Sequence, residues 1–365
     1  MNGWQDNGWT GGQYSVWRVL LGLWALALAA RPLAGAAEDI SLLALTVTAM
    51  VLSLPVIAGW FDGPAAALLA TVTVGLIVQD ASLPDSLWPL AAVMLLHAVA
   101  PMAPFGSIMA GGRIDPDGGW RLPGWLHLGT WLVLLTAIVL VVFAPHPDNP
   151  TWINLANRGG VVAATVLACL SRTRRMAWCL LTAIGLGMLF SGTSGWSLVG
   201  LVPAWLLASD PGWILPGRHR GEPGDATVAT WLFYDGNCGL CHRCVRLALA
   251  EDRHANPIRF APLGGTAFRE TIDATGRDQL PDSIIVVTPD GQILSRSSAA
   301  IEIGRLLGGW WRLAVTLARP IPRPLTDLGY RFLASIRYRL FGRRSESCPL
   351  LPPALRERFD LRHDE

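Results

Sequence analysis

Long apolar stretches dominate the first three fifths of the chain, at roughly 14–30, 40–60, 64–79, 86–104, 125–144, 154–171, 176–190 and 195–208. Several approach the ~20 residues that cross a hydrocarbon core and others fall short, so the pattern predicts six to eight membrane spans. Trp17, Trp60, Trp88, Trp125, Trp152, Trp178 and Trp196 stand near segment ends, where interfacial aromatics belong. Residues 216–229, rich in Pro, Gly and charge, break the pattern. Beyond them the alternation shortens and predicts β-α-β-α-β-β-α. Strands are expected at 231–234 and 258–261, and helices at 239–251 and 266–275. Residues 284–287 and 292–294 flank Pro289-Asp290-Gly291 as a hairpin. A helix at 298–307 is expected to be capped by Ser297 or Ser298. An Arg-rich amphipathic helix covers 325–344, after the breaker Pro320-Ile-Pro-Arg-Pro324. It is expected to pack on the sheet through Leu328, Phe332 and Ile336 with its Arg face in water, the alternative being contact with the anionic inner leaflet.

Composition sharpens this division. The 365 residues are 52% hydrophobic and 15% charged with mean hydropathy +0.39, which excludes disordered and collagen-like chains. Residues 1–217 hold eight Arg, ten Asp or Glu and fourteen Trp; the remainder holds 21 Arg, 17 acids and three Trp. The chain therefore reads as a transmembrane domain at 1–215, a linker at 216–229 and a polar domain at 230–365. No lysine occurs, which fits the coding bias of a GC-rich genome, and the net charge of +2 argues against a nucleic-acid partner. With eight spans, Arg113, Arg121, Arg172, Arg174, Arg175, Arg218 and Arg220 fall on one side, facing only Arg31 and Arg158 on the other. The excess marks the cytoplasmic side and assigns the polar domain to it. The first apolar segment lacks a basic leader and a small-residue cleavage site, so it is expected to remain as a span. Arg18 lies one turn inside it and is expected to snorkel to the headgroups. His97 and His127 are expected to bond helix to helix within the spans.

The chemistry concentrates at three cysteines within seven residues, Cys238, Cys241 and Cys244. A strand ends, the chain turns at Gly236-Asn237, and Cys238 arrives at a helix N-terminus, where free N–H groups and the helix dipole favour a thiolate. With two residues between them, Cys241 is near enough to close a disulfide, so Cys238 reads as the attacking thiol and Cys241 as the resolving one. Two alternatives use the same residues. Cys238, Cys241, Cys244 and distant Cys348 match the spacing of an iron–sulfur ligand set, and with His242 they suit zinc. In the apolar half, Cys169 and Cys179 flank an Arg-rich turn; they read as packing residues or, more boldly, as a membrane dithiol relaying electrons. The element order resembles the thioredoxin core, in which a cis-proline faces the active-site sulfurs. Pro281 stands one residue too early for that role and reads as an ordinary trans turn proline.

Two resemblances follow from quoted motifs. WTGGQYSVWRVLLGLWAL from Trp9, the loop PFGSIMAGGRIDPDGGWRLPGW, and RRMAW, GWSLVG and SDPGWI resemble the bacterial horizontally transferred transmembrane domain. That group is related in fold to the membrane part of vitamin-K-dependent carboxylases. The stretch after Val142 lacks a Tyr/Lys signature, so no carboxylase activity is implied. Asp235-Gly-Asn-Cys238-Gly-Leu-Cys241, Val245-Arg246, DSIIVV, RSSAA at 296–300, Tyr330, Arg337-Tyr338-Arg339 and Cys348-Pro349-Leu350 resemble the DCC family of thiol-disulfide oxidoreductases. The resemblance implies a thioredoxin-like α/β domain with Cys238 and Cys241 as the redox pair. Asp235 then shuttles a proton or caps the helix. No further cofactor is implied. The partners are the lipid bilayer, a disulfide-bearing substrate and an electron donor, neither of the last two specified by the sequence. The function expected is a multi-pass inner-membrane protein reducing disulfides on the cytoplasmic side; the alternative is a membrane binding or transport module carrying a redox sensor or metal site.

Overall fold

The computed structural model describes residues 7–34, 39–79, 87–111, 120–143, 151–190, 200–214, 229–252, 258–342 and 356–361. Cys348, Trp196, Arg113, Arg218, Arg220 and nearly all of the linker lie outside them. The chain divides into two compact units, one built chiefly on Gln13–Gly111 and Arg121–Trp213, the other on Ile214–Glu365.

The first unit is helical: α1 (Gly11–Ala29), α2 (Ile40–Ala58), α3 (Asp62–Gln79), α4 (Leu87–Ala98), α5 (Gly124–Phe143), α6 (Thr151–Cys169), α7 (Arg174–Phe190), α8 (Val202–Ala208) and α9 (Pro211–Ile214). Among the described residues α2, α3 and α5 are long and apolar enough to cross a membrane. Each is apolar around its circumference, so Val51, Leu54, Leu68 and Leu132 stay on the outside while Ala49, Leu69 and Leu134 are buried. Asp39 opens α2 by accepting the N–H groups of Ser41 and Leu42 at 2.8 and 3.2 Å. Gly59 closes it at φ +68°, and a Cβ there would strike the Arg18 guanidinium, so both the backbone and the space demand glycine.

Arg18 does not snorkel. Its guanidinium is 1% exposed and turns inward, donating to the carbonyls of Val56 and Ile57, with Nε 3.6 Å from Asp62. The last carbonyls of α2 have no partner within their own helix, and an arginine supplies donors to them while a carboxylate balances its charge. His97 lies 3.6 Å from the same Asp62 oxygen and hydrogen-bonds Tyr14 at 2.7 Å, whereas His127 donates to the Ala208 carbonyl at 3.1 Å. Both histidines thus join helix to helix.

The second unit is a small mixed sheet with helices. Its elements are β1 (Thr230–Tyr234), α10 (Gly239–Glu251), β2 (Ile258–Pro262), α11 (Thr266–Thr271), α12 (Ala274–Asp278), β3 (Ile285–Val287), β4 (Ile293–Ser295), α13 (Arg296–Leu307), α14 (Gly309–Leu317) and α15 (Arg323–Phe341). The sheet order is β2-β1-β3-β4, with β1 parallel to β2 and antiparallel to β3, and β3 antiparallel to β4. Strand alternation builds two cores. Leu232, Tyr234, Val286 and Phe260 pack beneath α10 on one face, and Phe233, Ala261 and Ile285 pack with Phe268 of α11 on the other. Residues 356–361 shield the outer edge of β2, where Phe260 bonds Arg358 and Asp360 through the backbone and its ring stacks on Phe359.

Three local expectations change. The helix expected at 266–275 is broken into α11 and α12, because Asp273 caps a new start by accepting the Gly276 N–H at 2.8 Å. Neither Ser297 nor Ser298 caps α13, which begins after Ser295; Ser297 spends its hydroxyl on Asp327 at 2.5 Å. Among the described residues every peptide is trans, the one before Pro281 included.

Candidate functional site

The site forms where β1 hands over to α10. Asp235 leaves the strand and folds the loop back on itself. Its Oδ1 accepts the Asn237 N–H at 2.9 Å, and its carbonyl accepts the Cys238 N–H at 3.2 Å. Cys238 then sits at the N-cap of α10 in an extended conformation (φ −96°, ψ 116°), with its carbonyl already accepting the His242 N–H. A side-chain oxygen usually takes the first free amides at such a position; here the side chain is a thiol.

Cys238 and Cys241 are free thiols, 0% and 3% exposed, and Cys241 lies in the first turn of the helix that Cys238 caps. Burial pushes the Cys241 thiol well up, and charge on Cys238 pushes it further. Cys244, one turn on, is raised to about 11, again by burial first and by Cys238 second. The environment therefore keeps the two downstream thiols protonated around the one at the helix N-terminus.

His242 does not face the sulfurs as a ligand. Its Nε2 donates to the Gly236 carbonyl at 2.7 Å and its ring meets Tyr234 edge-on, so it staples the turn to the helix. No three His, Cys, Asp or Glu side chains among the described residues converge on a position suited to a metal ion, and Cys348 lies outside them. Cys169 and Cys179 belong to the helical unit; both are exposed free thiols, and Cys169 donates to the Thr165 carbonyl.

Helix α15 completes the site from more than ninety residues downstream. Arg337, nearly buried, reaches Asp282 at 2.6 Å and Asp235 at 3.7 Å, so a single guanidinium holds the loop before α10 and the turn before β3. The Tyr330 hydroxyl accepts the Ile284 N–H at 3.0 Å, and burial raises its pKa. Beyond the helix, the Gly342 carbonyl accepts the Gly239 N–H at 3.3 Å and takes the first amide of α10. Asp235 thus braces the turn that leads to Cys238 and makes an ion pair. Tyr330, Arg337 and Asp282 were visible in the sequence only as parts of a pattern.

Comparison with known proteins gives the same region a family. Residues 232–343 match the model of the DCC1-like thiol-disulfide oxidoreductase. The uncharacterized protein YuxK of Bacillus subtilis (strain 168) is 35% identical over 128 residues, which are 35% of this chain and 91% of that protein. The uncharacterized chloroplastic protein At5g50100 of Arabidopsis thaliana is 26% identical over 134 residues, 36% of this chain and 62% of its own. No solved structure matches the chain significantly.

Proposed function

Because the chain belongs, through its C-terminal half, to the DCC1-like thiol-disulfide oxidoreductase family, we propose that it is a membrane-anchored enzyme reducing disulfides through Cys238 and Cys241. The observation that carries this reading is the placement of Cys238 at the N-cap of α10 with Cys241 buried in the first turn of the same helix. On this reading the C-terminal unit is thioredoxin-like, and the helical unit crosses the membrane six to eight times. The loop arginines favour a cytoplasmic C-terminal unit in the inner membrane.

The reaction proceeds by two exchanges. The Cys238 thiolate attacks one sulfur of a substrate disulfide, forming a mixed disulfide and expelling one substrate thiolate, which takes up a proton. The charge on Cys238 is then gone, and with it one of the causes that raise the Cys241 thiol. Cys241 loses its proton, attacks the Cys238 sulfur, expels the second substrate thiolate and closes the Cys238–Cys241 disulfide. Two electrons and two protons have passed to the substrate, and a dithiol donor restores the pair. Asp235 acts in this scheme as a positioning residue, holding the turn while Arg337 holds its carboxylate. Since Cys238 is buried, the Gly342 contact over the start of α10 opens to admit a substrate sulfur.

Reduction of a small protein disulfide by the detergent-solubilised full chain, recycled by excess dithiol, tests the assignment. Wild type turns over, Cys238→Ser does not, and Cys241→Ala accumulates a mixed disulfide that mass spectrometry locates on Cys238. Undiminished turnover in Cys238→Ser overturns it.

A further inference from the structure

Helix α15 is amphipathic, yet it packs with its polar side inward. Tyr330 and Arg337 turn toward β3 and the cysteine site, where their partners are Ile284, Asp282 and Asp235. The apolar side looks out: Leu325, Leu328, Phe332 and Leu333 are 57%, 56%, 64% and 51% exposed. The sequence predicts that Leu328, Phe332 and Ile336 pack on the sheet; instead the first two are exposed, because Arg337 requires both aspartates and fixes the rotation of the helix. Leu317 and Ile321, just upstream, are exposed as well. Scattered exposed leucines are ordinary, but a stripe at three- and four-residue spacing along one helix is a surface that binds something apolar.

The charges around the stripe select the occupant. Arg319, Arg323, Arg331 and Arg339 are all exposed, while Asp327, an acid within α15, is engaged by Ser297. We propose that this face of α15 lies in the surface of an anionic bilayer, with Leu325, Leu328, Phe332 and Leu333 among the upper acyl chains and the arginines on lipid phosphates. The inference rests on the reading that the helical unit crosses that bilayer. Residues 215–228 between the units have a fully extended reach of ~50 Å, ample to bring α15 to the surface. A second copy fits poorly, since pairing like faces sets one arginine fringe against the other. The opposite face of α15 lines the thiol site, so docking holds the dithiol about one helix diameter, ~10 Å, from the headgroups. The substrates then favoured are disulfides on loops of membrane proteins.

The test uses the full chain with all six native cysteines changed to Ser, and a fluorophore attached through Phe332→Cys, through Leu328→Cys, or through Glu270→Cys on α11 as a control on the other face of the sheet. Each is reconstituted in vesicles of phosphatidylcholine and phosphatidylglycerol, with or without brominated acyl chains. The labels at 328 and 332 lose most of their emission to brominated lipid and little to aqueous iodide, and the label at 270 does the reverse. Changing Arg319, Arg323, Arg331 and Arg339 together to Gln removes the loss to brominated lipid. Iodide quenching at 332 equal to that at 270 overturns the proposal. Shielding from both quenchers also overturns it, and assigns the face to a protein surface, a second copy included. A chain that an alkaline carbonate wash strips from the vesicles overturns the anchoring reading together with the docking.

Discussion

Cys238, Cys241 and Cys244 differ in what surrounds them more than in what they are. Cys244 carries a thiol raised to about 11, so the folded chain holds that proton where the unfolded chain has released it. A raised thiol contributes stability that is fully present below the unfolded value and is lost as pH rises through the folded one. The melting temperature of the full chain is therefore expected to fall between about pH 9 and pH 11, and to fall less steeply in Cys244→Ala. A variant with the wild-type pH profile contradicts this assignment. Arg337 supports the site through ion pairs. Replacing it with Met is expected to cost about 2 kcal/mol, less than a fully buried pair because Asp282 is itself 72% exposed. A lower melting temperature and faster alkylation of Cys238 are the readouts, and unchanged values for both count against the clasp. Cys238, Cys241 and Asp235 were legible because their chemistry lies within seven consecutive residues. Arg337, Tyr330 and Asp282 were not, because they meet the site only after the chain has folded back across the sheet, and a buried arginine looks like a surface one in a sequence.

At the scale of elements, strand alternation and turn residues carried most of the information. β1, β2, α10 and the β3–β4 hairpin lie where two-residue and helical periodicities put them. What periodicity could not supply was the rotation of α15. Its apolar stripe suggests burial, while the actual orientation is set by Arg337 and Tyr330, whose partners are distant in sequence. The corner between α13 and α14 illustrates a backbone constraint of the same hidden kind. Gly308 adopts φ 74°, ψ −167°, a region in which side chains are rarely tolerated, and it both ends one helix and begins the next. Gly308→Ala is expected to cost ~1–3 kcal/mol, read as a lower melting temperature of the full chain. A neutral substitution means that the corner relaxes without penalty.

For the whole molecule, the split between apolar and polar halves proved the most legible feature and the least informative about chemistry. Hydropathy identifies the helical unit, in which, among the described residues, three helices meet the length and composition for crossing a membrane. It says nothing of the inward turn of Arg18 toward Asp62, because a charge one turn inside a span permits either snorkelling or pairing. The central claim concerns the other half: Cys238 and Cys241 form a reversible two-electron couple. The direct test equilibrates the full chain in detergent with thiol–disulfide buffers of graded potential, alkylates the remaining thiols and maps the disulfide by mass spectrometry. The account predicts a single transition in which a disulfide linking Cys238 to Cys241 appears with the two-electron slope, a tenfold ratio change per ~30 mV. Absence of that disulfide at every potential, or its formation between other cysteines while Cys238 stays free, contradicts the account.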